Sequence, residues 1–386
     1  MKILFLANGN SIHTQRWVKW YLDSGWDVEL VTIKRLPNEN EFKKISQYIL
    51  PNIPIGYTSK YWKIMLPIKI MIYVPILLRI TRKVRPDIII AHEIPTWGVY
   101  LGYMKKFNNY SSTMCVSWGF SKMDENEYIR THAETTALKQ IDYIRAQSQS
   151  ITDALITYRK VPANKILFKT WGIDTKLFKK LSEEEKRALK IKMGLEGKKI
   201  VISTRNIAPF YNIDTILRAM KLVHEHDSEI RCIILKGSSD ESYRKEMISL
   251  SNELEINSIC TFLDSQSSLD DVAQYLSISD VSVMVPNTDQ ASASLLEAMA
   301  CGVVPICTNI PANMEWIEHR KNGFLIEPRD HENLARYIIE VLAKGTISEN
   351  VLNNNRVLVE ERANWYKNMA EIEHQSKLIA KKEYIN

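Results

Sequence analysis

Several features that would place a chain in a class at once are missing from these 386 residues. There is no uninterrupted run of about 18 apolar residues, the length a membrane-spanning helix requires, and the start MKILFLANGNS has too short an apolar run for a secretory signal peptide. A cytoplasmic protein is expected. Cysteine is scarce: Cys115, Cys232, Cys260, Cys301 and Cys307 are odd in number and form no C-x-x-C pair and no Cys/His cluster. That excludes a disulfide framework and a zinc site, and leaves them as reduced core residues. No internal repeat or low-complexity tract occurs. Acid is missing over one long stretch, because nothing between Glu41 and Asp87 is Asp or Glu while nine Lys and Arg fall there.

What is present is ordinary for a soluble globular protein, with 45% apolar and 25% charged residues. A chain of 386 residues exceeds one core at about 100 to 200 residues per domain, so two domains are the default. Charge is uneven between them. Residues 1–176 hold 25 Lys and Arg against 14 Asp and Glu, a net +11, so that within the total of +6 the remainder carries −5.

Short β-type runs alternate with helix-length segments. The first series is KILFLA, VELVTI, DIIIAH, TMCVSW, YIRAQS and KILFKTW. After the polar helical stretch LSEEEKRALKIKMGLEG a second series follows, KIVIST, RCIILKG, ICTFLD, VSVMVP and VVPICT. This βαβ order implies parallel sheets covered by helices on both faces, hence an α/β chain of two doubly wound, Rossmann-like domains facing a cleft. The expected boundaries are 1–176 and 177–360, with a C-terminal helical segment, 361–386, packing back on the first domain. Ligands of open α/β sheets sit beyond the carboxyl ends of the strands. The polar clusters lie there: NGNSIHTQRW after the first strand, HEIP after DIIIA, RNIAPFYN after VIST, and NTDQASAS after VSVMV.

The last of these opens DQASASLLEAMACGVVPI, with Asp289 and Glu297 eight positions apart. One reading is structural. Ser294 and Glu297 have capping-box spacing, and Gly302 stands where a helix end favours a residue without a Cβ. The other reading comes from resemblance. D-QASASLL-E-AMACGVVPI is similar to the paired-acid motif of glycosyltransferase family 4, the retaining, GT-B-fold nucleotide-sugar glycosyltransferases, with Asp where the family has its first Glu. KILFLANG, RPDIIIAH, KILFKTWGIDTKLF, NGFLIEPRD and NWYKNMAEIE match other family segments in the same order, so the resemblance covers nearly the whole chain.

The resemblance implies roles. Glu297 would hold the ribose hydroxyls of a nucleotide sugar, and Asp289 the donor-sugar hydroxyls, since a carboxylate accepts several hydrogen bonds. The amides of Ser292, Ala293 and Ser294, at a helix start, would meet the diphosphate. Arg205 would fork onto phosphate oxygens and offset the charge on the leaving diphosphate. Gly9 and Asn10, after the first strand, join the donor-binding set. The chain departs from the family at Phe210, where a Lys is usual, at Gln290 and Ser292, where glycines are usual, and at Trp118–Gly119, where a His-Gly pair is usual. With Trp118 left to stack on a sugar, His13 is the candidate for the polar catalytic role, and His92 either contacts sugar or acceptor or is a satisfied core histidine. No metal or other cofactor is expected, because Arg205 and helix amides would meet the diphosphate charge.

The acid-free stretch contains YWKIMLPIKIMIYVPILLRI, which itself carries Lys63, Lys69 and Arg79. It suits an anionic membrane surface, or else a core helix interrupted by Pro67 and Pro75 with a charged rim. Nucleic acid is not expected, since no RNA or DNA motif is present. The reading is therefore a retaining transferase acting from a nucleotide sugar on a glycan or lipid-linked acceptor, peripheral on the cytoplasmic side of a membrane. The alternatives are a nucleotide-sugar epimerase of the same fold and a non-catalytic carbohydrate-binding subunit.

Overall fold

The computed structural model describes residues 1–53, 62–107, 111–117, 128–236, 240–263, 268–289, 292–344 and 347–384, with main chain only at 62–64, 128–131 and 344. The chain forms two compact units, Met1–Thr170 with Met369–Asn386, and Trp171–Asn368.

The first unit is built on seven parallel strands: β1 (Lys2–Leu6), β2 (Asp27–Thr32), β3 (Ser46–Ile49), β4 (Ile88–His92), β5 (Ser112–Val116), β6 (Tyr143–Ala146) and β7 (Ile166–Phe168). Their order is β3-β2-β1-β4-β5-β6-β7. The second unit holds six: β8 (Lys199–Ser203), β9 (Ile230–Ile234), β10 (Cys260–Phe262), β11 (Val281–Met284), β12 (Val304–Thr308) and β13 (Phe324–Ile326), in the order β10-β9-β8-β11-β12-β13. Central strands such as β4, β5 and β12 are buried at every position, as expected where helices cover both faces of a parallel sheet. Each sheet reverses direction of growth once, between β1 and β4 and between β8 and β11.

Two strands lack a legible sequence signal. β3 is SQYI, which is half polar, and β13 is FLI, a run of three between NG and EPRD; both lie at sheet edges. The five cysteines are free and buried. Burial raises the Cys115, Cys301 and Cys307 thiols above their usual range, which keeps them unreactive.

Within the acid-free stretch, Trp62–Val84 forms one continuous helix through both prolines. Leu66, Tyr73, Val74, Leu77, Ile80 and Val84 enter the core of the first unit. Pro67 and Pro75 both lie on the exposed side, which also shows Ile68, Met71 and Ile72 to solvent, 39%, 75% and 39% exposed. No helix among the described residues is long and apolar enough to cross a membrane.

The C-terminal helix, Trp365–Lys381, belongs to the first unit from Met369 onward, where it buries Met369, Ile372 and Ile379 and makes several polar bonds. The indole N–H groups of Trp20 and Trp26 donate to the two Glu373 oxygens at 3.3 and 3.1 Å, Tyr21 Oη meets Ser376 Oγ at 2.8 Å, and Ser112 Oγ donates to the Ile379 carbonyl at 2.7 Å. Within the second unit the segments around 173 and 364 are clasped: Ile173 N donates to Ala363 O at 2.8 Å and Trp365 N to Ile173 O at 2.9 Å. Gly172 makes the clasp possible, since its φ is +75° and a Cβ there would lie 2.1 Å from Ala363 O. Gly194 has a similar φ of +69° with open space around it. Gly172→Ala should therefore cost on the order of 3 kcal/mol, and Gly194→Ala only the backbone part of that, about 1 kcal/mol. Equal denaturation midpoints for the two variants would show that the clasp is not close-packed.

Candidate functional site

In the second unit the loops after β8 and β11 flank the point where strand order reverses, the place where such sheets hold ligands. Arg205 leaves β8 and Asp289 follows β11, and the structure brings them together: Arg205 Nη2 lies 3.0 Å from Asp289 Oδ2, with the side chains only 12% and 15% exposed. Arg205 Nη1 also reaches Ser292 Oγ at 3.3 Å and Ser294 Oγ at 3.4 Å. The flat guanidinium stacks 4.5 Å from the centroid of the Tyr211 ring. The Tyr211 platform is set by a tight turn, Pro209–Tyr211, and by Asn212 at φ +50°. The Asn212 amide donates to Val285 O at 2.8 Å and to Asn287 Oδ1 at 2.9 Å, tying the two loops to each other. Phe210, half exposed, stands beside it.

The helix Ala293–Ala300 starts two residues earlier than the capping-box reading places it. Ser292 is its N-cap and takes the Leu295 N–H at 3.3 Å, so Ser294 lies in the first turn and Glu297 is the fifth helical residue. The Ser294–Glu297 box is thus corrected, and with it the placement of Glu297 in the first turn. Glu297 is buried and does not serve as the capping-box acid of this helix. Gly302 does end the helix, at φ +71° with its N–H on Met299 O at 3.2 Å. First-turn N–H groups, among them those of Ala293 and Ser294, have no intrahelical acceptor. The Arg205 guanidinium lies over this helix start, so two sources of positive potential converge.

In the first unit, Gly9 packs so closely on residues 34–36 that a Cβ would lie 2.6 Å from Leu36 N. Its amide is used internally, on Lys34 O at 2.9 Å and Thr32 Oγ1 at 3.0 Å. Asn10 is exposed. His13 is on the first turn of the helix Ile12–Asp23, where burial and the Arg16 guanidinium push its imidazole down to about 4. It is neutral near pH 7 and can act there as a hydrogen-bond partner, not as a cation. His92 is 2% exposed, edge-on to Trp17 and Phe5 at ring distances of 5.0 and 5.6 Å, with Nδ1 3.4 Å from Thr14 Oγ1. It is enclosed in the core, but not as a satisfied histidine, since its buried Nε2 has no hydrogen-bond partner among the described residues, and burial pushes it down to about 3. Trp118 lies outside the described residues. Among those described, no group of three or more His, Cys, Asp or Glu converges as a metal site would.

Sequence reasoning missed Tyr211 and Asn212 as the support of Arg205. It also passed over Glu93, which had a signal: an acid directly after the strand IIIAH, which is buried at every position.

The family described as Glycosyl transferases group 1 matches residues 184–368, and that described as Glycosyl transferase 4-like matches residues 2–148. N-acetyl-alpha-D-glucosaminyl L-malate synthase of Bacillus anthracis is 28% identical over 228 residues, 58% of this chain and 56% of that protein. The chain thus spans about half the length of the curated relatives it matches. Among solved structures, sucrose-phosphate synthase of Thermosynechococcus elongatus superposes with a TM-score of 0.81 at 18% identity, covering 98% of this chain and 99% of that one. Anabaena HepE, solved with UDP and glucose, superposes with a TM-score of 0.79 at 17% identity, again over 98% and 99%. These likenesses confirm the expected two-sheet GT-B fold.

The pairing of Arg205 with Asp289 is measurable. In a double-mutant cycle of Arg205→Ala and Asp289→Ala the two should couple by about 1 to 3 kcal/mol, since both charges are largely withdrawn from water. Additive losses of stability in urea unfolding would mean that the two side chains act independently.

Proposed function

The chain belongs to the glycosyl transferases group 1 family, and on that premise we propose that it transfers a hexose-type sugar from a nucleotide diphosphate sugar to a glycan or lipid-linked acceptor, with retention of anomeric configuration. The observation that carries this reading is Arg205, held by Asp289, Ser292, Ser294 and Tyr211 over a helix N-terminus. A guanidinium in a fixed plane suits two phosphate oxygens, and helix amides add donors at no cost of reorganisation. Both are aimed at the group whose negative charge grows as the sugar leaves. An arriving phosphate competes with Asp289 for Arg205, which turns the Asp289 carboxylate over to the sugar hydroxyls. Glu297, eight positions beyond Asp289 on the helix that starts beneath Arg205, takes the ribose hydroxyls. The departing phosphate accepts the proton of the acceptor hydroxyl, so no protein nucleophile is required. No metal is required either, because the diphosphate charge is met by Arg205 and amides.

The test is a thermal-shift screen of UDP-glucose, UDP-N-acetylglucosamine, UDP-galactose and GDP-mannose. A donor at about 100 times its dissociation constant adds about 2.7 kcal/mol. With the donor found, Arg205→Ala and Glu297→Gln should each lower turnover about a hundredfold while remaining folded, and excess chelator should leave turnover unchanged. No stabilisation by any nucleotide sugar would rule the reading out, as would full activity in Glu297→Gln for the role of that residue.

We propose further that the protein works peripherally at an anionic membrane surface, cytoplasmic in location. The support is the exposed side of the helix Trp62–Val84, where Ile68, Met71 and Ile72 lie among cations with Arg79, Arg82 and Lys83 exposed toward its end, in a region with no acid from 42 to 86. Each cation near such a leaflet contributes about 1 kcal/mol, screened beyond about 8 Å at physiological salt. Wild type should co-sediment with anionic but not neutral vesicles at low salt and lose the attachment as salt rises. A Lys63→Glu, Lys69→Glu, Arg79→Glu variant should not bind. Equal sedimentation of the two proteins would leave this helix as a packing element.

A further inference from the structure

An acid to which no role has been given, Glu93, stands at the carboxyl edge of the first sheet. Glu93 directly follows β4, and β4 pairs with β1 where the strand order reverses. Its φ is +76°, in the left-handed region that residues with a Cβ rarely occupy. It opens a π-helical turn, Glu93–Gly98, a form that is rare in proteins and recurs at functional sites. The surroundings enforce the turn. Gly98, at its end, is packed so that a Cβ would lie 2.7 Å from Cys115 Sγ and 3.3 Å from Glu93 O.

The residue is half-buried; its carboxylate accepts a hydrogen bond from Thr96 Oγ1 at 2.9 Å and is raised above the usual carboxylate range by burial. The groups it acts on from neighbouring elements, Tyr100 and Cys115, are uncharged near neutral pH because burial raises both. A strained main chain therefore holds one acid at the ligand edge of a unit whose first 176 residues carry a net +11.

We infer that Glu93 is the acceptor-recognition carboxylate, accepting hydrogen bonds from the hydroxyls of a neutral glycan acceptor and disfavouring an α-hydroxy acid such as L-malate. This rests on the transferase reading and names the acceptor class for it. A carboxylate offers several lone-pair positions and no donor when ionised, which matches a polyol. The same charge, partly withdrawn from water, repels an acceptor that carries a carboxylate next to its reactive hydroxyl. The basic excess of the unit alone would favour such an anionic acceptor, so Glu93 decides between the two.

The full-length protein is tested with whichever of the four nucleotide sugars above gives the largest thermal shift, and nucleoside diphosphate release is followed alone, with methyl β-D-glucopyranoside, and with L-malate. Wild type should be stimulated by the glucoside and not by L-malate. Glu93→Gln and Glu93→Gly should lose at least tenfold of the stimulated rate while keeping the unstimulated rate within twofold. Glu93→Gly should melt at or above the wild-type temperature, because glycine adopts this φ without strain. Stimulation by L-malate, no stimulation by the glucoside, or stimulation retained in Glu93→Gly would overturn the inference. So would a Glu93→Gly variant that melts several degrees lower, which makes the residue a support of the fold. A wild type that binds no nucleotide sugar is a separate result that removes the transferase reading itself, and the acceptor role with it.

Discussion

Parallel pairing is the constraint on which the rest of the structure depends. Parallel strands can be joined only by crossovers, and the crossover helices cover both faces of each sheet. The interior is then apolar on both sides, as β4, β5 and β12 show by being buried at every position. Polar chemistry is left the edge at the carboxyl ends of the strands, above all the reversal points, where the loops of β1 and β4 and of β8 and β11 diverge. Arg205, Asp289, His13 and Glu93 all belong to these four loops or to the turns that follow them.

The two edges solve different electrostatic problems. In the second unit a single cation is held in place by an anion, two hydroxyls and an aromatic ring, so its position is fixed before any ligand arrives. Preorganisation of this kind is what makes a charge effective against a developing negative charge. In the first unit the two candidate histidines, His13 and His92, are held neutral by burial, and the acid that directly follows β4 is placed under backbone strain. Strain persists where its neighbours over-determine it, and at Glu93 they do so through Gly98 and Cys115.

Much of the fold was legible. Eleven of the thirteen strands lie within apolar runs that can be read from the sequence, because buried strands of a parallel sheet must be continuously apolar. β3 and β13 were not legible, since SQYI is half polar and FLI is a three-residue run set between NG and EPRD, too short in its surroundings to stand out as a strand. In the candidate site, the spacing of Asp289 and Glu297 and the placement of Arg205 after a strand were readable from the sequence. The start of the helix was not. Ser292 and Ser294 are both acceptable N-caps, and only the path of the chain from β11 shows that Ser292 takes the position.

By itself the sequence determined which residues stand at strand ends, because hydrophobic periodicity and the βαβ order follow from local composition. It also determined the charge asymmetry and the apolar helix with a basic rim. Only the tertiary structure decided that Arg205 is paired with Asp289 and backed by Tyr211, that His92 is enclosed by aromatic rings, and that Glu93 is held in a left-handed turn. Each of these depends on side chains far apart in the chain meeting at one distance, and on backbone angles imposed by packing, and neither quantity is encoded in any single stretch of residues.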